Sequence, residues 1–107
     1  KNPDFETIKI DLIDAYIITD EIDKAIKIAK EGLKEHPEDY LYHYKMFICL
    51  YLNKKIKASY AFLQSALELD FTETMTELFD EEIVSSHLDP QIQQIIEDVD
   101  NKLKEGE

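Results

Sequence analysis

The chain has 107 residues, which is enough for one domain with a modest hydrophobic core. Hydrophobic residues make up 44% of it, and it contains only two Gly and three Pro, so the composition excludes a disordered acidic tail and favours helices joined by short turns. The net charge is −12, and residues 71–107 carry −9 of it, with two Lys against eleven acids. This charge disfavours nucleic acids and anionic membranes as partners and leaves a basic protein open. The simpler alternative is that the acids keep a helical surface soluble.

The first third of the chain predicts two helices. Residues 5–18 and 21–35 each carry apolar side chains at helical spacing. Asp20 and Glu21 predict a short turn between them. The second helix ends at His36 and Pro37, because the residue before a proline is driven out of the helical region. The apolar positions of the first helix are Ile8, Leu12, Ile13, Tyr16 and Ile17.

The middle third repeats this pattern. The triplet at residues 2–4, Asn-Pro-Asp, recurs 34 residues later as His-Pro-Glu at 36–38. Large apolar positions stay large and small ones stay small, as when Leu12 falls on Met46 and Gly32 on Ala66. The predicted helices are 40–52 and 56–69, with a turn at 53–55. Cys49, the only cysteine, is expected to be a small buried hydrophobic residue.

A fixed period of this length is typical of stacked helical repeats. Residues 3–71 resemble the tetratricopeptide repeat, a 34-residue helix–turn–helix unit. The resemblance rests on a large apolar residue and an aromatic in the first helix, small residues in the second, and a closing proline. The residues that match are Leu12, Tyr16, Ala25, Ser59, Gly32, Ala66 and Pro37. Ile13 and Phe47 depart from the pattern, since the family usually has a small residue there.

The last third does not continue the repeat, because Asp80 and Gln93 fall on its large and small apolar positions. It is still helical in pattern. Residues 74–77, Thr-Met-Thr-Glu, have the form of a capping box, and Asp89 followed by Pro90 has the form of a helix start. We interpret residues 72–104 as C-terminal capping helices.

Together these patterns predict one all-α domain over residues 1–107. It consists of two antiparallel helix pairs of the tetratricopeptide type, 5–37 and 39–71, stacked as a short right-handed solenoid and followed by the capping helices. Pro3 lies in register with Pro37, which predicts that the chain is the end of a longer array. The alternative is an ordinary helix start with Asn2 as the cap.

No constellation of residues predicts catalysis or a cofactor, so we expect a protein that is not an enzyme. The three histidines lack metal-binding spacing, although zinc held by His43, His87 and an acid is conceivable. Residues 80–82 lack the alternating ligands of a calcium loop, and residues 85–87 are not a nucleophile elbow.

The resemblance implies a concave binding surface formed by the first helix of each pair. We therefore expect a protein–protein interaction scaffold that binds a peptide or helix in an apolar, Tyr-rich groove. Clamping of a peptide carboxylate is excluded, because no cation stands at the positions that would hold it. The predicted groove residues are Ile10, Asp14, Ile17, Leu41, Tyr44, Ile48 and Tyr51.

Two alternatives remain open for the groove residues. They contact further repeats or the capping helices, or the chain is a packing or dimerisation domain with no separate ligand. No stretch of about 18 apolar residues would span a membrane, and a bacterial, cytoplasmic protein is expected.

Overall fold

A computed structural model describes residues 5–80 and 89–106, and all regular structure within these ranges is helical. The six helices in them are α1 (Phe5–Ile18), α2 (Ile22–Glu35), α3 (Tyr40–Leu52), α4 (Ile56–Leu69), α5 (Phe71–Asp80) and α6 (Pro90–Glu105). The all-α prediction is therefore confirmed for the part of the chain described. The predicted bounds of α1, α3 and α4 are those observed, and α2 begins one residue later because Glu21 is its N-cap.

The 34-residue period recurs in the backbone of the two turns. Asp20, after α1, and Lys54, after α3, are 34 residues apart, and both have a positive φ, at 62° and 64°. In each turn the next N–H bonds back to a helix carbonyl five residues earlier, Glu21 to Tyr16 and Lys55 to Leu50. This is the Schellman arrangement, which satisfies carbonyls that a helix end leaves open. The period thus fixes local geometry as well as composition.

Close packing joins α2 to α3 through small residues. Ala25, Ala29 and Gly32 lie buried on one face of α2, and the Tyr42 ring of α3 lies against Gly32. A methyl group at Gly32 would overlap that ring. This interface and the inner face of α1 form one core cluster, which contains Ile13, Ala25, Ala29, Tyr42, Met46, Cys49 and Leu50.

A second core cluster joins α3 and α4 to the last two helices. It contains Tyr44, Phe47, Ile48, Leu63, Ala66, Leu67, Leu78, Ile92 and Val99. Two pairs of repeat equivalents in the second helices are buried alike, since Ser59 and Ala66 of α4 are buried as Ala25 and Gly32 are in α2.

The start of α5 differs from the prediction. The helix begins at Phe71, and the Asp70 carboxylate accepts a hydrogen bond from the Glu73 N–H at 3.2 Å. Thr74 was predicted to cap the helix, and that prediction is wrong. Its side chain is buried, and its hydroxyl donates to the Ala66 carbonyl at 3.0 Å. Because the helix already begins after Asp70, four residues earlier, Thr74 lies inside it, and its hydroxyl ties α5 to α4.

The predicted start of α6 is confirmed. The Asp89 carboxylate accepts from the Gln91 and Ile92 N–H groups, and Pro90 occupies the first turn. Asp89 lies beside Tyr60 near the start of α4, and Lys102 pairs with Glu68 near its end. Helix α6 therefore runs alongside α4 in the same direction.

Candidate interaction surfaces

The seven predicted groove residues do not share one open surface. Tyr44 and Ile48 lie inside the second core cluster, with Tyr44 fully buried. Ile10, Ile17, Leu41 and Tyr51 are partly buried, and Asp14 is half-exposed. The same core cluster contains Ile92 and Val99 of α6. Tyr44 and Ile48 therefore share a core cluster with residues of the capping helices, and contact with those helices was one of the alternatives left open by the sequence.

A carboxylate with two tyrosine partners holds α6 in this position. The Tyr51 and Tyr60 hydroxyls both donate to one Asp89 oxygen, at 3.0 and 3.1 Å. The other oxygen of Asp89 caps α6. Burial, followed by the neighbouring Asp89 carboxylate, raises the pKa of Tyr60 to about 12 and also raises the pKa of Tyr51. One aspartate therefore joins three helices, and both of its tyrosine partners remain protonated and able to donate at neutral pH.

The carboxylate of Asp14 forms an ion pair within the protein. The Lys45 ammonium lies 2.7 Å from an Asp14 oxygen, and its side chain is only 11% exposed. A lysine that is this deeply placed needs a counter-charge, because burial disfavours the unpaired cation. The pair links α1 to α3 and occupies one oxygen of the Asp14 carboxylate.

Helix α1 presents an open apolar face. Ile8 is 44% exposed, Leu12 is 37% exposed, and Ala15 is exposed on the same side. Thirty-four residues later, the same positions are Tyr42, Met46 and Cys49, which are buried against α2. The sequence pattern marked Ile8 and Leu12 as apolar positions of this helix and did not show that they are exposed.

A second open surface lies between α5 and α6. It is a cleft of about 370 Å³ lined by Met75, Leu78, Phe79, Gln93, Ile96, Glu97 and Asp100. Phe79 is 77% exposed at its edge, and Leu78 is buried at its base. Leu78 and Phe79 are neighbours in the sequence, and only Leu78 turns into the core.

Among the described residues, no group of three His, Cys, Asp or Glu side chains is placed to hold a metal ion. Burial raises the pKa of the Cys49 thiol to about 12, which leaves it protonated and a poor nucleophile at neutral pH. His87, Glu81 and Glu82 and the serines at 85 and 86 lie outside the described residues.

Comparison with known proteins returned no match to a family model, to a curated protein or to a solved structure. Within residues 5–80 and 89–106, none of the helices is long and apolar enough to cross a membrane.

Proposed function

We propose that this chain is a protein-interaction module of the tetratricopeptide type that binds a partner helix on the open face of α1. The single observation that carries the proposal is the mismatch in burial between repeat equivalents. Ile8, Leu12 and Ala15 are exposed, and the residues 34 positions later are buried in a helix–helix contact.

The contact between α2 and α3 indicates what kind of helix would fit. The apolar side chains of α3 pack onto a face of α2 that carries Ala25, Ala29 and Gly32. Small residues at these spacings allow two helix axes to approach closely. The partner of α1 is accordingly a helix with small residues at positions i, i+4 and i+7. The predicted groove at Tyr44 and Ile48 is not part of this proposal, because both residues are buried.

An internal duplication tests this directly. A second copy of residues 5–38, inserted between Asp4 and Phe5, places a helix of the α2 type against α1 in unbroken register. We expect the melting temperature to rise, by about 4–8 °C for each kcal/mol gained. Substituting Leu12→Lys in the original α1 should remove that gain. The same substitution in the unextended chain is the control, and it should have a small effect because Leu12 is there partly exposed. An unchanged melting temperature in the extended chain would contradict the proposal.

A packing or dimerisation domain is the second candidate, and it uses the same face of α1 against a second copy. Ile18, 83% exposed at the end of α1, extends the apolar surface available for such a contact. Light scattering over a range of concentrations separates the two candidates. A dimer that Leu12→Lys dissociates would favour self-association, and a monomer at all concentrations would favour a foreign helix.

A further inference from the structure

We propose that the cleft between α5 and α6 binds a basic amphipathic peptide segment, which places one large apolar side chain between the helices and its Lys or Arg side chains against the acidic rim. This site goes beyond the function proposed above, because it shares no residue with the α1 face and calls for a different kind of partner.

The shape of the cleft suits a single large side chain. Its volume of about 370 Å³ falls in the lower part of the range for ligand pockets. Met75, Leu78 and Ile96 provide apolar walls, and a methionine adapts readily to the shape of what enters. Phe79 stands 77% exposed at the mouth, where an aromatic ring can cover an inserted side chain. An aromatic in this position is typical of the few residues that dominate binding energy at an interface.

The charge around the cleft selects the partner. Helices α5 and α6 carry seven carboxylates and two lysines, a net charge of −5, and α5 has no basic residue. Glu97 and Asp100 line the cleft itself. Asp100 pairs with Lys104 at 3.0 Å, but that lysine is well exposed, so the pair contributes little and a basic side chain of a partner can replace it.

The same charge argues against other occupants. Two copies of this surface would bring net charges of −5 together, so repulsion disfavours a symmetric dimer through the cleft. Phosphate-bearing ligands and anionic lipids are repelled for the same reason. An amphipathic helix with a basic polar face satisfies both the apolar walls and the acidic rim.

The experiment uses the full chain and two labelled probe peptides that form amphipathic helices, one of Leu and Lys and one of Leu and Glu, each with a single Phe on the apolar face. Fluorescence anisotropy should show binding of the Leu–Lys peptide and none of the Leu–Glu peptide. Phe79→Ala should weaken binding roughly tenfold, the loss expected for one dominant contact. Glu97→Gln should weaken it by roughly two- to fivefold, as for one exposed ion pair.

Matched variants elsewhere make the result specific. Ile18→Ala removes an equally exposed apolar side chain from α1, and Glu31→Gln removes an exposed carboxylate from α2. Both should leave binding unchanged, as should Leu12→Lys, so failure of the α1 proposal does not affect this test. Equal weakening by Glu31→Gln and Glu97→Gln would show only nonspecific attraction and would overturn the proposal. Absence of binding, or equal binding of both peptides, would overturn it as well. A melting temperature of Phe79→Ala close to that of the parent chain checks that the variant is folded, which its exposure predicts.

Discussion

At the scale of single residues, the packing of Tyr42 against Gly32 accounts for a glycine inside α2. The Tyr42 ring lies where a Cβ atom on Gly32 would stand, and it is fully buried and stacked on His36 at a centroid distance of 6.4 Å. A glycine inside a helix costs about 1 kcal/mol relative to alanine. Its presence here is explained by the space that the tyrosine occupies.

We therefore expect Gly32→Ala to destabilise the protein, by about 1–3 kcal/mol, despite the higher helix propensity of alanine. The overlap forces the ring out of a packed position, and this cost exceeds the gain in propensity. Urea unfolding measures the change. Gly106→Ala is the matched control, because at Gly106 a Cβ atom would meet only ordinary contacts at 3.6 and 3.7 Å. A stabilised Gly32→Ala variant would contradict the close approach of α2 and α3.

Tyr60 provides a second prediction at this scale, from its pKa. The folded state holds the phenol proton more tightly than the unfolded chain, since the pKa rises from 10.0 to about 12. The stabilisation that protonated Tyr60 gives to the folded state is complete below pH 10.0 and is lost as the pH rises from 10.0 to about 12. The free energy of unfolding should therefore fall over this range, and it should fall less steeply in Tyr60→Phe. Urea unfolding at a series of alkaline pH values checks this, and equal slopes in the two proteins would contradict it.

At the scale of helices and turns, Asp20 and Lys54 show that the period controls the ends of α1 and α3. Both residues have a positive φ, a conformation that costs a residue other than glycine about 1–2 kcal/mol. The backbone hydrogen bonds of the turn hold each residue there. The position is exposed, so the side chain contributes little in return.

Lys54→Gly should therefore stabilise the protein by roughly 0.5–1 kcal/mol. This figure is the free energy gained by removing the strain at positive φ, minus the cost of the greater conformational freedom of glycine in the unfolded chain. Lys55→Gly, at the neighbouring residue that precedes α4, has a negative φ and serves as the control. Thermal unfolding of both variants measures the difference. A loss of stability in Lys54→Gly equal to that in Lys55→Gly would show that the positive φ carries no strain.

At the scale of the whole molecule, the two core clusters share Ile17 and Phe62, which pack against both. The α-helices are thus linked from α1 to α6 through continuous packing. Cys49 lies fully buried in the first cluster and reports on its opening.

We expect the Cys49 thiol to react only slowly with a disulfide reagent at neutral pH, because the rate of reaction is set by how often the protein unfolds around it. Burial raises its pKa to about 12, and access requires separation of α2 from α3. The reaction rate should rise along the urea unfolding curve. The same chain in high urea provides the control for intrinsic reactivity. Rapid reaction in the absence of urea would contradict the burial.

Features that depend on residues close together in the sequence could be predicted, and features that depend on distant residues could not. The bounds of α1, α3 and α4 and the cap at Asp89 were predicted, because helical periodicity and capping depend on residues a few positions apart. The capping role of Thr74 was mispredicted, because Asp70 satisfied the same local rule and burial against Ala66 decided between them. The burial of Tyr44 and Ile48 was not predictable, because it depends on how helices distant in the sequence pack around α3.

The sequence by itself determined the helical composition of the described chain, the 34-residue recurrence of turns and small residues, and the concentration of negative charge in the last third. These follow from local spacing and from simple counts. Only the tertiary structure decided which apolar residues stay open. Helix α6 is held by Tyr51 and Tyr60 through Asp89, and Tyr44 and Ile48 are buried in the core cluster that α6 shares with α3 and α4. The face of α1 and the cleft beside Phe79 remain accessible. The physical reason is that the apolar pattern of an amphipathic helix specifies which face must be buried, whereas the packing of helices distant in the sequence determines which surface covers that face.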